Sequence, residues 1–177
     1  MKLLLRGGLL FFFLFLILGQ SHAMGQFFVP ENPLIGEKAP DFTLKLLNGE
    51  QTSLAQYRGE QSAIVFFWAT WCPHCRHQLD QISKMGDQFA KDGIKMILVD
   101  LGESEQQVKS YMNKYKIQYD VFLDTESSVA EKYALIGVPT FFFIDQQGIV
   151  KAVEHILPED YKAILSPVQH PAQAKNP

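Results

Sequence analysis

FFWATWCPHCRHQLDQI, residues 66–82, begins as an apolar run, passes through Trp-Cys-Pro-His-Cys and ends in a pattern of helical spacing. Upstream it extends to Ser62, and SAIVFFW (Ser62 to Trp68) has the near-continuous apolar character of a strand buried on both faces. Downstream, Cys75, Leu79, Ile82 and Phe89 recur at helical spacing until Lys91-Asp92-Gly93 stops the pattern. The chain's only two cysteines, Cys72 and Cys75, therefore fall where a strand gives way to a helix. Pro73 suits the first helical position, where its missing N–H costs nothing. Cys72 then lies beside unpaired backbone N–H groups at the positive end of the helix dipole, which favours its thiolate. Cys75 is one turn on and on the same side, so the two sulfurs can meet. One can attack a partner's disulfide and the other can resolve the mixed disulfide. His74, between them, can add a hydrogen bond or a positive charge near the Cys72 sulfur, which would make the oxidised pair easier to reduce.

Simpler roles for the pair fit less well. A bridge over two residues closes almost no loop, so it restrains the unfolded chain very little. A zinc shell would need ligands beyond Cys72, His74, Cys75 and His77, and there is no second CxxC and no spaced histidine pair. Copper held by the two cysteines and a histidine stays open as a binding-module alternative.

Composition points to one globular domain. The chain has 177 residues, 47% hydrophobic and 20% charged, which is enough for a real core. A net charge of −3 without blocks of like charge gives no footprint for nucleic acid. The first 23 residues stand apart. Lys2 and Arg6 precede the apolar run LLFFFLFLIL (Leu9 to Leu18), and Ser21-His22-Ala23 supplies small residues at a plausible cleavage site. The run is well short of the ~20 residues that span a bilayer. Residues 1–23 are expected to be a secretory signal peptide, with a retained anchor as the alternative. Their removal takes two positive charges and no acid, leaving −5. Export would deliver the protein to a periplasmic or other extracytoplasmic compartment where disulfides persist.

Residues 24–33 read as a lead-in, 34–165 as the domain and 166–177 as a disordered tail. APDFTLKLLNGEQTSL forms two alternating runs around Asn48-Gly49, a hairpin signal. IKMILVDL reads as a second buried strand. SEQQVKSYMNKY opens with a capping box from Ser104 to Gln107 and reads as a helix. DVFLD is a short strand and SSVAEKYAL a short helix. TFFFID, the turn DQQG and IVKAV make a second hairpin, and Pro158 starts a last helix reaching about Leu165. Strands alternating with helices, bracketed by hairpins, predict an α/β layer fold with a mixed sheet.

FFWATWCPHC resembles the active-site segment of the thioredoxin superfamily, and GVPT (Gly137 to Thr140) resembles that superfamily's cis-proline loop. GEKAPDFTLKLLNGEQTSLAQYRG is similar to the N-terminal hairpin of the exported TlpA/ResA/DsbE-like branch, and Leu101 to Ile136 is placed like the strand and helix that branch inserts. The resemblance spans about residues 34–165. It implies a thioredoxin-like fold, a mixed central sheet flanked by helices, with an N-terminal β-hairpin and a TlpA-type central insertion. It also implies an enzyme, a thiol-disulfide oxidoreductase with no cofactor beyond the redox-active Cys72–Cys75 disulfide. Cys72 would be the exposed attacking thiol and Cys75 the buried resolving one. Trp71 would pack beside the sulfurs and, with Pro73 and His74, tune them. Pro139 would be cis, with the Val138 backbone pairing with a substrate chain as an added strand. Arg76 reads as either an exposed helix charge or positive potential at the site, and His77 as a solvated helix residue.

Two positions depart from the pattern. Thioredoxins carry a buried acid six residues before the attacking cysteine, where this chain has Phe66. ResA-like members often carry a Glu three residues after the second cysteine, where this chain has Gln78; Asp80 is near but should project from another face. What moves the Cys75 proton is left without a candidate. The direction of electron flow is also divided. The branch mostly reduces disulfides outside the cytoplasm, as in cytochrome c maturation, and needs a membrane redox partner. The Pro73-His74 dipeptide and Val138 instead match strongly oxidising, disulfide-donating DsbA-type enzymes. Peroxiredoxins share the hairpin and fold, but Trp71 directly precedes Cys72 and Thr70 stands one residue too close for a thiol peroxidase. The partners implied are protein thiols and disulfides, with membrane contact only if the N-terminal segment is retained.

Overall fold

The computed structural model describes residues 31–166. The expected signal peptide at 1–23, residues 24–30 of the expected lead-in and residues 167–177 of the expected tail lie outside the described residues. Seven strands form one sheet: β1 (Thr43–Leu46), β2 (Gln51–Ser53), β3 (Ser62–Trp68), β4 (Ile94–Leu101), β5 (Val121–Asp124), β6 (Thr140–Ile144) and β7 (Val150–Glu154). Their order is β2-β1-β5-β4-β3-β6-β7. The pairs β3–β4 and β4–β5 are parallel and the rest antiparallel, so the sheet is mixed. Six helices flank it: α1 (Leu54–Arg58), α2 (Pro73–Met85), α3 (Gln88–Lys91), α4 (Glu105–Tyr115), α5 (Ser128–Lys132) and α6 (Tyr161–Leu165). The fold is thioredoxin-like, with the insertion of α4, β5 and α5 seating β5 between β4 and β1.

Strand alternation divides the core into two layers. Ile64, Phe66 and Trp68 of β3 join Met96 and Leu98 of β4 and Cys72, Cys75, Leu79 and Ile82 on one face. Ala63, Val65 and Phe67 join Ile97, Val99, Phe122, Tyr133 and Phe142 on the other. β3 is buried at every residue, as a central strand covered on both sides must be.

Several boundaries differ from the sequence expectation, each for a local reason. The helix expected to run to Phe89 ends at Met85, because Gly86 takes a left-handed φ of 57°, and a short second helix carries Phe89 into the core. α1 was not anticipated: Ser53 and Gln56 form a capping box at the end of what reads as a strand. The last helix begins at Tyr161, since the chain after Pro158 first makes a turn in which Tyr161 N–H donates to the Pro158 carbonyl at 3.3 Å. The described end of the lead-in is tied to the domain: Asn32 Nδ2 donates to the Tyr133 carbonyl at 2.9 Å. The capping box expected at Ser104 and Gln107 is present.

Candidate active site

β3 delivers the chain to Ala69, and Cys72 follows as the N-cap of α2 with extended backbone angles and Pro73 just inside the helix. Cys72 and Cys75 form a disulfide. The Cys75 N–H donates to Cys72 Sγ at 3.2 Å, so the sulfur itself satisfies one of the orphan donors at the helix start. The N-terminal placement expected from Pro73 is therefore realised at atomic level, and a negative charge on this sulfur would meet both a donor and the positive end of the helix dipole.

Exposure corrects one expectation. Cys72 is only 3% exposed and not an open thiol, because it nestles under the 138–139 loop with its Sγ 3.6 Å from the Val138 carbonyl oxygen. Trp71, one residue before it, is 66% exposed. Cys75 is fully buried, as expected.

The Val138–Pro139 bond is cis, and Val138 is half-buried opposite the cysteines. Behind the loop, Thr140 Oγ1 donates to the Gly137 carbonyl at 2.7 Å. His155 Nδ1 lies 2.9 Å from the Pro139 carbonyl oxygen, which can only accept, so Nδ1 carries the proton. His155 thus pins the cis-proline loop, and its sequence context, after an edge strand, gave no sign of it. Beside the loop and the first turn of α2 opens a cleft of about 560 Å³ lined by His74, His77, Val138, His155, Ile136 and Ile156 among others. Ile136 and Ile156, which line it, are both largely exposed, and Trp71, next to Cys72 in the chain, adds further exposed apolar surface.

The two departures noted in the sequence have structural answers. Phe66 is fully buried and stacks on Phe141 with ring centroids 4.3 Å apart, a core contact. Gln78 is 4% exposed; its Oε1 accepts from Leu157 N–H at 2.8 Å and its Nε2 donates to Gln81 at 3.1 Å. It ties α2 to the segment carrying His155. Asp80 faces solvent, paired with Lys84 at 2.6 Å. Arg76 is exposed, with its guanidinium 3.5 Å from the Thr70 carbonyl oxygen.

Sequence reasoning missed the acids on this side of the sheet. Asp100, in β4, pairs in register with Trp68, and Glu103 follows in the loop. Both are buried, at 1% and 6% exposure. Glu103 accepts from the Thr70 N–H with one oxygen and from the Thr70 hydroxyl, at 2.6 Å, with the other. Burial, and then the neighbouring Glu103 carboxyl, push Asp100 up to about 8. The only cue was an acid ending an apolar run, with a second acid three residues on. Among the described residues no group of three or more His, Cys, Asp or Glu is arranged to hold a metal ion.

A helix capped by one cysteine of a CxxC pair, facing a cis-proline loop on a thioredoxin-like sheet, is the apparatus of disulfide exchange, and this chain is a thiol-disulfide oxidoreductase. By residues 35–153 it belongs to the AhpC/TSA family. It is 31% identical over 137 residues to the thiol-disulfide oxidoreductase ResA of Bacillus subtilis (strain 168), an alignment covering 75% of this chain and 76% of that protein. The thioredoxin-like protein YneN of the same organism is 31% identical over 121 residues, covering 67% and 69%. Among solved structures, StoA from Bacillus subtilis aligns with a TM-score of 0.62 at 25% identity, over 72% of this chain and 98% of that one. A thioredoxin-family thiol:disulfide interchange protein from Chlorobium tepidum TLS aligns with a TM-score of 0.60 at 29% identity, over 72% and 92%.

Proposed function

We propose that this enzyme is exported and reduces disulfides in protein substrates, in the manner of cytochrome c maturation, drawing its electrons from a membrane redox partner. The observation that carries the protein-substrate reading is a cleft beside the CxxC turn, lined by His74, Val138 and Pro139 and by the exposed Ile136 and Ile156, with the exposed Trp71 one residue before Cys72. Export rests on the pattern of residues 1–23, and membrane contact on whether they are retained. No cofactor is required beyond the cysteine couple.

In this reading a substrate segment lies along Val138 as an added strand, presenting its disulfide to Cys72. The Cys72 thiolate attacks one substrate sulfur; the substrate S–S bond breaks, a Cys72–substrate disulfide forms, and the leaving thiolate takes a proton from water. Cys75 then loses its proton and attacks Cys72 Sγ, releasing the second substrate thiol. Two electrons pass to the substrate, and the Cys72–Cys75 disulfide is left for the membrane partner to reduce.

Pro73 and His74 favour a second reading, a disulfide-donating oxidase running the same steps backwards. His74 is exposed at the cleft, where a positive charge would hold the Cys72 thiolate and stabilise the reduced form. Glutathione titration of the purified protein separates the two. A reduction potential near the ~−270 mV of thioredoxin is expected; one near the ~−120 mV of DsbA would overturn the reductase in favour of the oxidase.

A further inference from the structure

We propose that Asp100 and Glu103 are positioning residues for the cysteine couple: a carboxyl pair that shares one proton, braces the turn before Cys72 and sets the charge behind it. This rests on the reading of Cys72 and Cys75 as the redox centre.

The geometry begins with Glu103. Its two acceptor bonds both go to Thr70, two residues before Cys72, from backbone and hydroxyl together. A carboxylate clamping both donors of one residue holds the turn between β3 and α2, and so the entry of Cys72 into its cap. Asp100 stands behind it. By strand alternation its side chain shares the sheet face of Trp68, Leu98 and the two cysteines.

Neither buried Asp100 oxygen has a hydrogen bond of ordinary geometry, the Glu103 N–H being its one weak backbone neighbour, and the buried Nε1 of Trp68, its register partner, is also without a partner. A buried carboxylate with no donor is costly, whereas a protonated acid can give its own hydrogen to a neighbour. The acid that bears on it is Glu103, three residues on and likewise buried. Asp100 as the acid and Glu103 as the acceptor satisfy each other with a single proton, a state that survives up to about pH 8.

Other groups around the pair complete its electrostatics. From α2, Arg76 brings positive charge to the Thr70 carbonyl. From α4, Tyr111 packs on Trp68, and Glu105 is already paired with Lys45 at 2.8 Å. From β5, Leu123 pairs with Asp100, whereas Asp124 is spent on the opposite face, on the start of α5. When the shared proton leaves to solvent, two buried carboxylates repel each other. The brace on Thr70 loosens, and a second negative charge arises on the face that carries Cys72 Sγ. Added negative charge disfavours the thiolate and so favours the disulfide.

The test is the glutathione equilibrium of full-length wild type, Asp100→Asn and Glu103→Gln between pH 6 and pH 9.5. Asn can donate to Glu103 but never ionise, so it imitates the protonated pair. Asp100→Asn should match wild type within two-fold below pH 7. At pH 9 wild type should hold the disulfide roughly ten-fold more strongly, the order of effect that one added charge exerts through a protein interior. Glu103→Gln should shift the equilibrium at every pH, since the clamp loses its charge. A purely structural role would lower thermal stability without producing an inflection that Asn removes. Matching profiles for all three proteins would overturn the proposal while leaving the redox centre intact. A wild-type pair that exchanges with glutathione at no pH would overturn both the proposal and the reading beneath it.

Discussion

Asp100 and Asp124 lie near the ends of neighbouring parallel strands, β4 and β5, and each is about 1% exposed. Asp124 is fully served: it accepts from the Val129 N–H at 2.9 Å, the Ala130 N–H at 3.1 Å and the Ser128 hydroxyl at 3.3 Å. Neither Asp100 oxygen has a hydrogen bond of ordinary geometry. The faces they occupy differ in the same way. Around Asp124's side the core is aromatic and closed, with Phe42, Phe67, Phe122, Tyr133 and Phe142 in edge-on or tilted contact. Its buried hydroxyl, on Tyr133, donates to the Pro40 carbonyl at 2.8 Å. Around Asp100's side lie the cysteines, an unpaired indole N–H and a carboxyl pair. Hydrogen bonding is completed around Asp124, which only builds structure, and left open around Asp100, the group proposed to gain and lose a proton.

The sharpest way to break that contrast is to cut into each face separately. Cys72→Ser should abolish disulfide exchange altogether and trap no partner, while Cys75→Ser should trap a mixed disulfide visible on a non-reducing gel. Equal trapping by both would exchange or erase the roles assigned to the two sulfurs. On the other face, Asp124→Ala should cost stability and leave exchange alone. It orphans two N–H groups at the start of α5, a loss of about 2–4 kcal/mol by denaturant unfolding. A variant with an altered reduction potential would show that the faces are not independent.

Asp100 should also make stability depend on pH. Its folded pKa lies near 8, far above the ~3.9 of an unfolded Asp, so the folded state binds the extra proton. Between those two values the unfolded chain is ionised and the folded one is not. Stability should therefore fall as pH rises from about 4 to 8 and level off above. Asp100→Asn should flatten that slope in urea melts at pH 5, 7 and 9; an unchanged slope would mean that Asp100 is already ionised in the folded protein.

Much of this was legible before any coordinates. The apolar run Ser62–Trp68 is β3 residue for residue, and IKMILVDL is β4, because strands buried on both faces write themselves as unbroken apolar sequence. Pro73 marked the helix start beside Cys72 through a purely local constraint on its own φ and N–H. Asp100, Glu103 and His155 escaped because nothing local distinguishes them. They reach the site only when β4 pairs with β3 and when β7 returns the chain to the cis-proline loop. The capping box of α1 was present in the sequence, but Ser53 also reads as the end of the alternating hairpin. Tertiary pairing gave it a second function.

The chain contains two tryptophans, and both lie within four residues before Cys72. Trp68 is wholly buried next to Asp100, and Trp71 is mostly in solvent one residue before Cys72. The protein therefore carries two built-in optical probes of contrasting environment. Trp71 should fluoresce at longer wavelength and be quenched by iodide, and Trp68 at shorter wavelength, shielded from it. Opening and closing of the disulfide, and the docking of a substrate over Trp71, could then be followed by emission alone, without attaching a dye to a molecule whose thiols are its working parts.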